Sequence, residues 1–177
     1  MIGKLTTVPA RTRPDLLAEP VARALAAHDD ITVYVAEIDP ALADTAKLSE
    51  AYDVPLDVSA NCVVVSGKRA GDLRVAACVV LATSRADVNN VVRRRLDVRK
   101  ASFMPMDDAV EATSMEYGGI TPIGLPPDWP VLVDSAVAEL PYAVIGSGVR
   151  ASKLLVPGEA LANWPGAEII AGLGRPA

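Results

Sequence analysis

Two neighbouring apolar runs set the strongest constraint on what this chain can fold into. Asn61-Cys-Val-Val-Val-Ser66 and Leu73-Arg-Val-Ala-Ala-Cys-Val-Val-Leu81 flank a short segment containing Gly67 and Gly71. Runs rich in β-branched residues and separated by glycines read as the two strands of a hairpin. The second run is apolar almost throughout instead of alternating, which predicts a strand covered on both faces. The chain must then supply an apolar layer on each side of one hairpin. It has the means, because 51% of its 177 residues are hydrophobic and 22% are charged, a balance that suits one folded domain. Aromatic residues are only 4% of the total, so the core is built from Ala, Val, Leu and Ile. The same scarcity argues against a nucleic-acid reader that stacks bases on rows of rings.

The remaining elements are short and interleaved. Residues 1–13 mix Pro, Thr and Arg without period and read as a mobile leader to a single domain over 14–177. Pro14 and Pro20 suit the first turns of short helices, with Leu16, Leu17, Val21 and Leu25 as the apolar face. Ile31–Ile38 alternates as a strand, and Asp44 can cap a helix that runs to Tyr52 and cannot pass Pro55. Ser84-Arg-Ala-Asp87 has the pattern of a capping box before a helix whose buried stripe is Val88, Val91, Val92 and Leu96. A short helix over Met106–Thr113 leads into a Gly/Pro-rich loop, Gly118–Pro127. Short strands follow at 131–133, 142–145 and 153–156, then a helix over 157–162 and a strand at 168–170. This alternation predicts an α+β fold on a mixed sheet.

Scarce residue types exclude several chemistries. His28 is the only histidine and Cys62 and Cys78 the only cysteines. A structural zinc site of about four Cys/His ligands cannot be assembled from them. A Ser-His-Asp or Cys-His nucleophile would have to run through His28, which ends an Ala-rich helix and reads as a solvated terminal residue. The cysteines read as reduced, buried, small apolar residues. Asp107 and Asp108 look like first-turn carboxylates of a helix and not an acid/base dyad. The N-terminus has no apolar signal core, and the uncharged run Val75–Leu81 is far short of the ~20 residues of a spanning helix, so a cytoplasmic domain is expected.

Two glycine motifs remain. Gly146-Ser-Gly-Val-Arg-Ala151 fits a dinucleotide fingerprint, but that fingerprint must open a full helix. Here a strand-like Lys153-Leu-Leu-Val156 follows, Pro157 comes next, and only 26 residues remain after Ala151. Ser147 and Ser152 therefore read as turn residues. In Gly118-Gly-Ile-Thr-Pro-Ile-Gly124, adjacent glycines let a ligand approach the main chain, and Thr121 is held extended by Pro122. Such a loop can hold a carbonyl or anion by amides alone, or can simply be a rigid connector.

That loop resembles the GGISPxG segment of the YbaK/EbsC family, bacterial aminoacyl-tRNA deacylases related to the editing insertion of prolyl-tRNA synthetase. Further matches follow in order: Ala86-Asp-Val-Asn89 with its helix and Arg99-Lys-Ala101, Val131-Leu-Val-Asp134, and Gly146-Ser-Gly-Val-Arg150. The resemblance spans roughly residues 18–162. It implies a curved, mixed, barrel-like sheet flanked by helices, and hydrolysis of the ester between a wrongly attached amino acid and the 3′-terminal adenosine of tRNA, without a metal or cofactor. The loop Gly118 to Pro122 would hold the substrate by backbone contacts. The implied catalytic set is Asn61, Gly118 and Gly119, with Thr121, Pro122, Asp134, Gly148 and Arg150 binding substrate. Asp134 equally suits the N-cap of a short helix. The family carries a lysine, in a K-T-L pattern, where this chain reads Asn61-Cys62-Val63. Asn61 brings hydrogen bonds and no positive charge, so it would position a substrate oxygen or a water. Low or altered activity follows as one expectation. A non-catalytic tRNA- or nucleotide-binding module that keeps the aminoacyl-adenosine pocket is the alternative.

Charge is unevenly spread. The formal total is −5, made of −5 over residues 1–60, +6 over 61–100 and −6 over 101–177. The acidic total excludes indiscriminate binding to phosphate backbones. The basic stretch, with Arg93, Arg94, Arg95, Arg99 and Lys100 clustered, is expected either to steer the acceptor end of an aminoacyl-tRNA or to be a solvated helix face. The expected partners are aminoacyl-tRNA and, beyond it, an aminoacyl-tRNA synthetase.

Overall fold

The computed structural model describes residues 1–177. Eleven strands and six helices alternate along it. They are β1 (Thr7–Pro9), α1 (Glu19–Ala27), β2 (Tyr34–Glu37), α2 (Thr45–Tyr52), β3 (Ala60–Arg69), β4 (Asp72–Leu81) and β5 (Ser84–Ala86), then α3 (Arg93–Leu96) and β6 (Ala101–Phe103). The chain continues through α4 (Met106–Thr113), β7 (Val131–Asp134), α5 (Ser135–Ala138), β8 (Ala143–Gly146), β9 (Ser152–Val156), α6 (Gly158–Ala162), β10 (Ala167–Ile170) and β11 (Gly174–Pro176). The fold is α+β, as expected.

The hairpin is the centre of a five-stranded mixed sheet of order β10-β7-β4-β3-β6, in which β4 pairs antiparallel with β3 and parallel with β7. Alternate residues of β4 enter different cores. Ala77 and Val79 pack with α1, α5 and α6, whereas Ala76, Cys78 and Val80 pack with Val92, Leu96 and Leu173. The uniformly apolar run is explained by this two-sided burial. A second sheet, β1-β2-β9-β8, closes the other side of the larger core, and a parallel bridge between Ser59 and Val144 joins the two sheets. The sheets are open and curve around the core without closing into a barrel.

Three expectations need correction. Residues 1–13 are packed against the domain. β1 pairs antiparallel with β2, Ala10 is fully buried, and Leu5 lies in a third core with Ala36, Leu48 and Val54. The apolar side chains Met1, Ile2, Leu5, Val8 and Ala10, scattered among polar neighbours, carry no period, which hid this strand from a pattern-based reading. Ser84–Ala86 is a strand and not a capping box, because it pairs with β11 at the C-terminus. Asp87 is the true N-cap, accepting from the Asn90 amide at 3.2 Å, and the first turn, Val88–Val92, is π-helical. The strand begun at Ile31 is shortened to Tyr34–Glu37.

If the N-terminal segment is part of the core, Leu5→Ala should destabilise the protein by about 2–5 kcal/mol, the usual range for a buried leucine. Urea denaturation would show it as a lower midpoint at unchanged slope. An unchanged midpoint would mean that residues 1–13 contribute nothing to stability.

Candidate functional site

A cavity of about 330 Å³ opens where the two sheets meet, within the size range of small-ligand sites. Its walls come from the start of α2 (Ala43–Thr45), the first half of β3, the Gly118–Ile120 loop, and the facing ends of β8 and β9. Phe103 and Tyr117 stand at its rim, 60% and 58% exposed.

Asn61 lines the cavity. Its Oδ1 accepts from the Thr45 hydroxyl at 2.8 Å, which ties β3 to α2 and leaves the side-chain NH2 as a donor. Cys62 also lines the wall, but burial pushes its thiol well up, with Cys78 adding to the effect. Cys78 is pushed up to about 12 by burial. Neither cysteine is a thiolate at neutral pH, so neither is a nucleophile.

The glycine loop is held by the turn between β8 and β9. The Gly148 amide donates to the Gly119 carbonyl at 2.7 Å and the Glu116 amide to the Gly148 carbonyl at 2.8 Å. A side chain on Gly119 would meet the Val149 carbonyl at 2.8 Å, so two stretches of bare backbone touch here. The Gly119 amide is used by the Glu116 carbonyl, whereas the amides of Gly118 and Ile120 donate to nothing in the chain, and both residues line the cavity. Gly118 has φ +85°, and a methyl group there would run into the Arg150 guanidinium. That guanidinium donates to the Tyr117 carbonyl at 3.3 Å and lies 3.7 Å from Asp44.

The other expected site residues fall into distinct positions. Gly119, Thr121 and Pro122 are buried and do not line the cavity, and the Thr121 hydroxyl has no partner. Gly148, at φ +88°, packs on Ala18 and Val21 and supports the turn. Asp134 is away from the cavity: it caps α5 through the Ala136 amide at 2.8 Å and accepts from the Gly174 amide, so it is a structural cap. The apparent dinucleotide fingerprint is the turn of an antiparallel pair with Gly146 opposite Lys153, and no helix starts there. Ser152 donates to the Leu16 carbonyl at 2.6 Å with Ser147 2.7 Å away, so both hydroxyls hold the turn.

Of the basic cluster, Arg95 is neutralised by Glu168 through contacts of 2.8–3.1 Å, and Arg93 donates to the Asn89 carbonyl at 2.7 Å. Arg94, Arg99 and Lys100 are exposed and form no ion pair, and Arg99 shares a second groove with Lys68 and Arg69. That groove lies at the far end of β3 from Asn61, roughly 23 Å away at about 3.3 Å per residue. No cluster of three or more His, Cys, Asp or Glu side chains forms a metal-binding arrangement, and no helix is long and apolar enough to cross a membrane.

One residue was missed by sequence reasoning. Lys153 lines the cavity and is only 7% exposed. Across the ladder it faces Ala36 and Gly146, whose small size leaves a lane for its long side chain. Burial lowers its pKa to about 8 from an ordinary 10.5, with Arg150 adding to the depression and Asp44 opposing it. The available signal was a lysine inside an otherwise apolar strand, next to a glycine-rich turn.

The geometry agrees with the comparisons. The aminoacyl-tRNA editing domain family matches residues 39–163. This chain belongs to that family. The match includes every wall of the cavity, and the family's activity is aminoacyl-tRNA editing. Among solved structures, the hypothetical protein APE2540 superposes with a TM-score of 0.76 at 20% identity, covering 89% of this chain and 100% of that one. A protein described as a candidate trans-editing enzyme for prolyl tRNA synthetase gives 0.72 at 17% identity, covering 87% and 94%. At these identities the likeness is one of fold. No protein of curated function matches the sequence.

Lys153 also makes a stability prediction. Below pH 8 it is protonated in both folded and unfolded states, and the folded state bears the full desolvation penalty. Between pH 8 and 10.5 the unfolded chain binds more protons, so stability rises with pH as that penalty is released. The shift corresponds to about 3 kcal/mol. Lys153→Met should therefore stabilise the protein at pH 7 by an amount of that order, with the advantage fading towards pH 10. Urea midpoints at several pH values check this. A destabilised variant at pH 7 would show that the ammonium is well compensated in the fold.

Proposed function

We propose that this editing-domain protein acts in trans as an aminoacyl-tRNA deacylase, hydrolysing the ester that joins a wrongly attached amino acid to the 3′-terminal adenosine of tRNA. The observation that carries the reading is the cavity's division of labour. Its interior presents donors, the Asn61 amide group and the backbone amides of Gly118 and Ile120, among apolar walls. An ester carbonyl needs donors, and an amino-acid side chain needs a bounded apolar space. Its rim carries two of the chain's few aromatic rings, Phe103 and Tyr117, in exposed positions suited to stacking a terminal base.

The exposed cations supply the complementary element. Lys68, Arg94, Arg99 and Lys100 lie at or near the far end of the same hairpin, where they would meet phosphates of the acceptor arm while the 3′ end occupies the cavity. An aminoacyl-tRNA synthetase fits as a second partner because it generates the mischarged substrate.

A panel of mischarged tRNAs tests the reading directly. At least one should be deacylated well above the buffer rate, and turnover of none would overturn it. Within that assay, Phe103→Ala should raise KM about tenfold with little change in kcat, the expected loss for one stacked base. The triple variant Arg94→Ala, Arg99→Ala, Lys100→Ala should weaken tRNA binding and reduce the slope of log affinity against log salt by about 2–3. Arg95→Ala alone should leave that slope nearly unchanged, because Glu168 already neutralises the guanidinium.

A further inference from the structure

Lys153 is a buried ammonium without an ion-pair or hydrogen-bond partner in the fold, its charge opposed by Arg150 and only partly offset by Asp44. It is more than nine-tenths buried, yet it forms neither an ion pair nor a hydrogen bond within the chain, while the nearest carboxylate, Asp44, is engaged with Arg150. Core lysines without partners are strongly disfavoured, and nothing structural is gained here, since an apolar side chain would fill the same lane. The direction of the side chain is set twice. Gly146, opposite Lys153 in the ladder, presents the same face of the sheet, and that face is covered by the carbonyls of Gly119 and Ile120. Lys153 thus runs out alongside the glycine loop, and it lines the cavity with Asn61 and Gly118.

We propose that Lys153 is the cationic catalytic residue of this pocket, reaching the bound ester from β9 where the corresponding hairpin position carries only the neutral Asn61. The proposal rests on the deacylase reading and adds to it a charged group from a different strand. Hydrolysis proceeds by addition of water to the ester carbonyl carbon, followed by cleavage of the bond to the ribose oxygen. The water's proton ends on that oxygen, giving a free 3′-hydroxyl and a free amino acid. Lys153 stays protonated throughout and exchanges no proton. Its charge stands beside the carbonyl oxygen as that oxygen becomes an oxyanion, joined by the donors of Asn61, Gly118 and Ile120. A lysine at the usual value would serve as well. The downward shift towards 8 records the dry surroundings in which such a charge acts strongly, and it leaves about nine-tenths of the groups protonated at pH 7.

The test compares wild type with Lys153→Met, using whichever mischarged tRNA of the panel the wild type deacylates. The expected result is a fall in kcat of about 10²–10³-fold with KM changed less than about threefold, the pattern of an interaction made in the transition state. The variant should be at least as stable as wild type in urea, which separates lost chemistry from lost folding. Retained kcat would overturn the role of Lys153 while leaving the deacylase reading intact. A second measurement holds even if the wild type turns over no substrate and the deacylase reading falls. Lys153 acylation by acetic anhydride is followed by mass spectrometry with and without saturating 3′-alanylamino-3′-deoxyadenosine, an amide that cannot be hydrolysed as the ester is. Protection of Lys153 by about tenfold or more supports contact with the aminoacyl linkage, and an unchanged rate of modification overturns it.

Discussion

The site depends on one contact between two stretches of bare backbone. The Gly118–Ile120 loop lies against Gly146 and Val149 so closely that a side chain on Gly119 or Gly146 would collide with a carbonyl of the facing segment. Because these positions are glycine, the loop docks through main-chain hydrogen bonds, with Gly148 donating to Gly119 and Glu116 to Gly148. Docking leaves the Gly118 and Ile120 amides unused at the cavity wall, and it places loop carbonyls over the lane taken by Lys153. Side chains at the interface would push loop and turn apart, and the cavity would lose its donor wall and the cover over its cation together. The rigidity of the contact also matters to the proposed deacylation, because donors to an oxyanion work best when they need no reorganisation during the reaction.

Electrostatics in this chain are decided locally. A total of −5 repels nucleic acid on average, and much of the basic segment is cancelled in place, Arg95 by Glu168 and Arg69 and Arg74 by Asp97. What remains unpaired is limited to a few surface cations and to Lys153 inside the cavity. The two sets obey different physics. The surface cations are solvated, screened by salt and individually weak. Lys153 is largely buried at the cavity wall, so its charge is costly to the fold and more effective on anything bound beside it than a surface cation would be. Among buried side-chain polar atoms only the Thr121 hydroxyl lacks a partner, so the cost of the Lys153 charge is concentrated at the cavity wall.

The fold was legible where burial left a pattern. The unbroken apolar run of β4 foretold its two cores. Pairings between distant segments were not legible, because β1 and β11 are three residues long and their partners lie far along the chain. The candidate site was half legible. The family resemblance pointed to Asn61 and the glycine loop to Gly118, both of which line the cavity, but Lys153 could not be named, because a lysine in a strand ordinarily marks the solvent face. Only the three-dimensional register, with Ala36 on one side and Gly146 on the other, makes that face an interior one. The aromatic residues teach a related point. Their low number argues against stacking bases on rows of rings, and it leaves open the single terminal base that the proposed function places against Phe103 and Tyr117 at the cavity rim.

The hairpin that fixes the core also fixes the distance between the two charged regions. Asn61 and Lys68 belong to one strand, laddered to β4 along its whole length and to β6 near its distal end. A strand paired in this way cannot stretch or bend independently, so the cavity and the distal cations are held roughly 23 Å apart. A flexible linker would let a ligand satisfy either region alone. A rigid spacer rewards a ligand that carries an acyl ester at one end and phosphates at a fixed remove, as the acceptor arm of a charged tRNA does. A free aminoacyl ester would fill the cavity but leave the cations unmatched, and uncharged nucleic acid would engage the cations but leave the interior donors without their carbonyl. On the deacylase reading proposed above, selectivity for the charged arm over its separate parts follows from the same ladder that makes the chain fold.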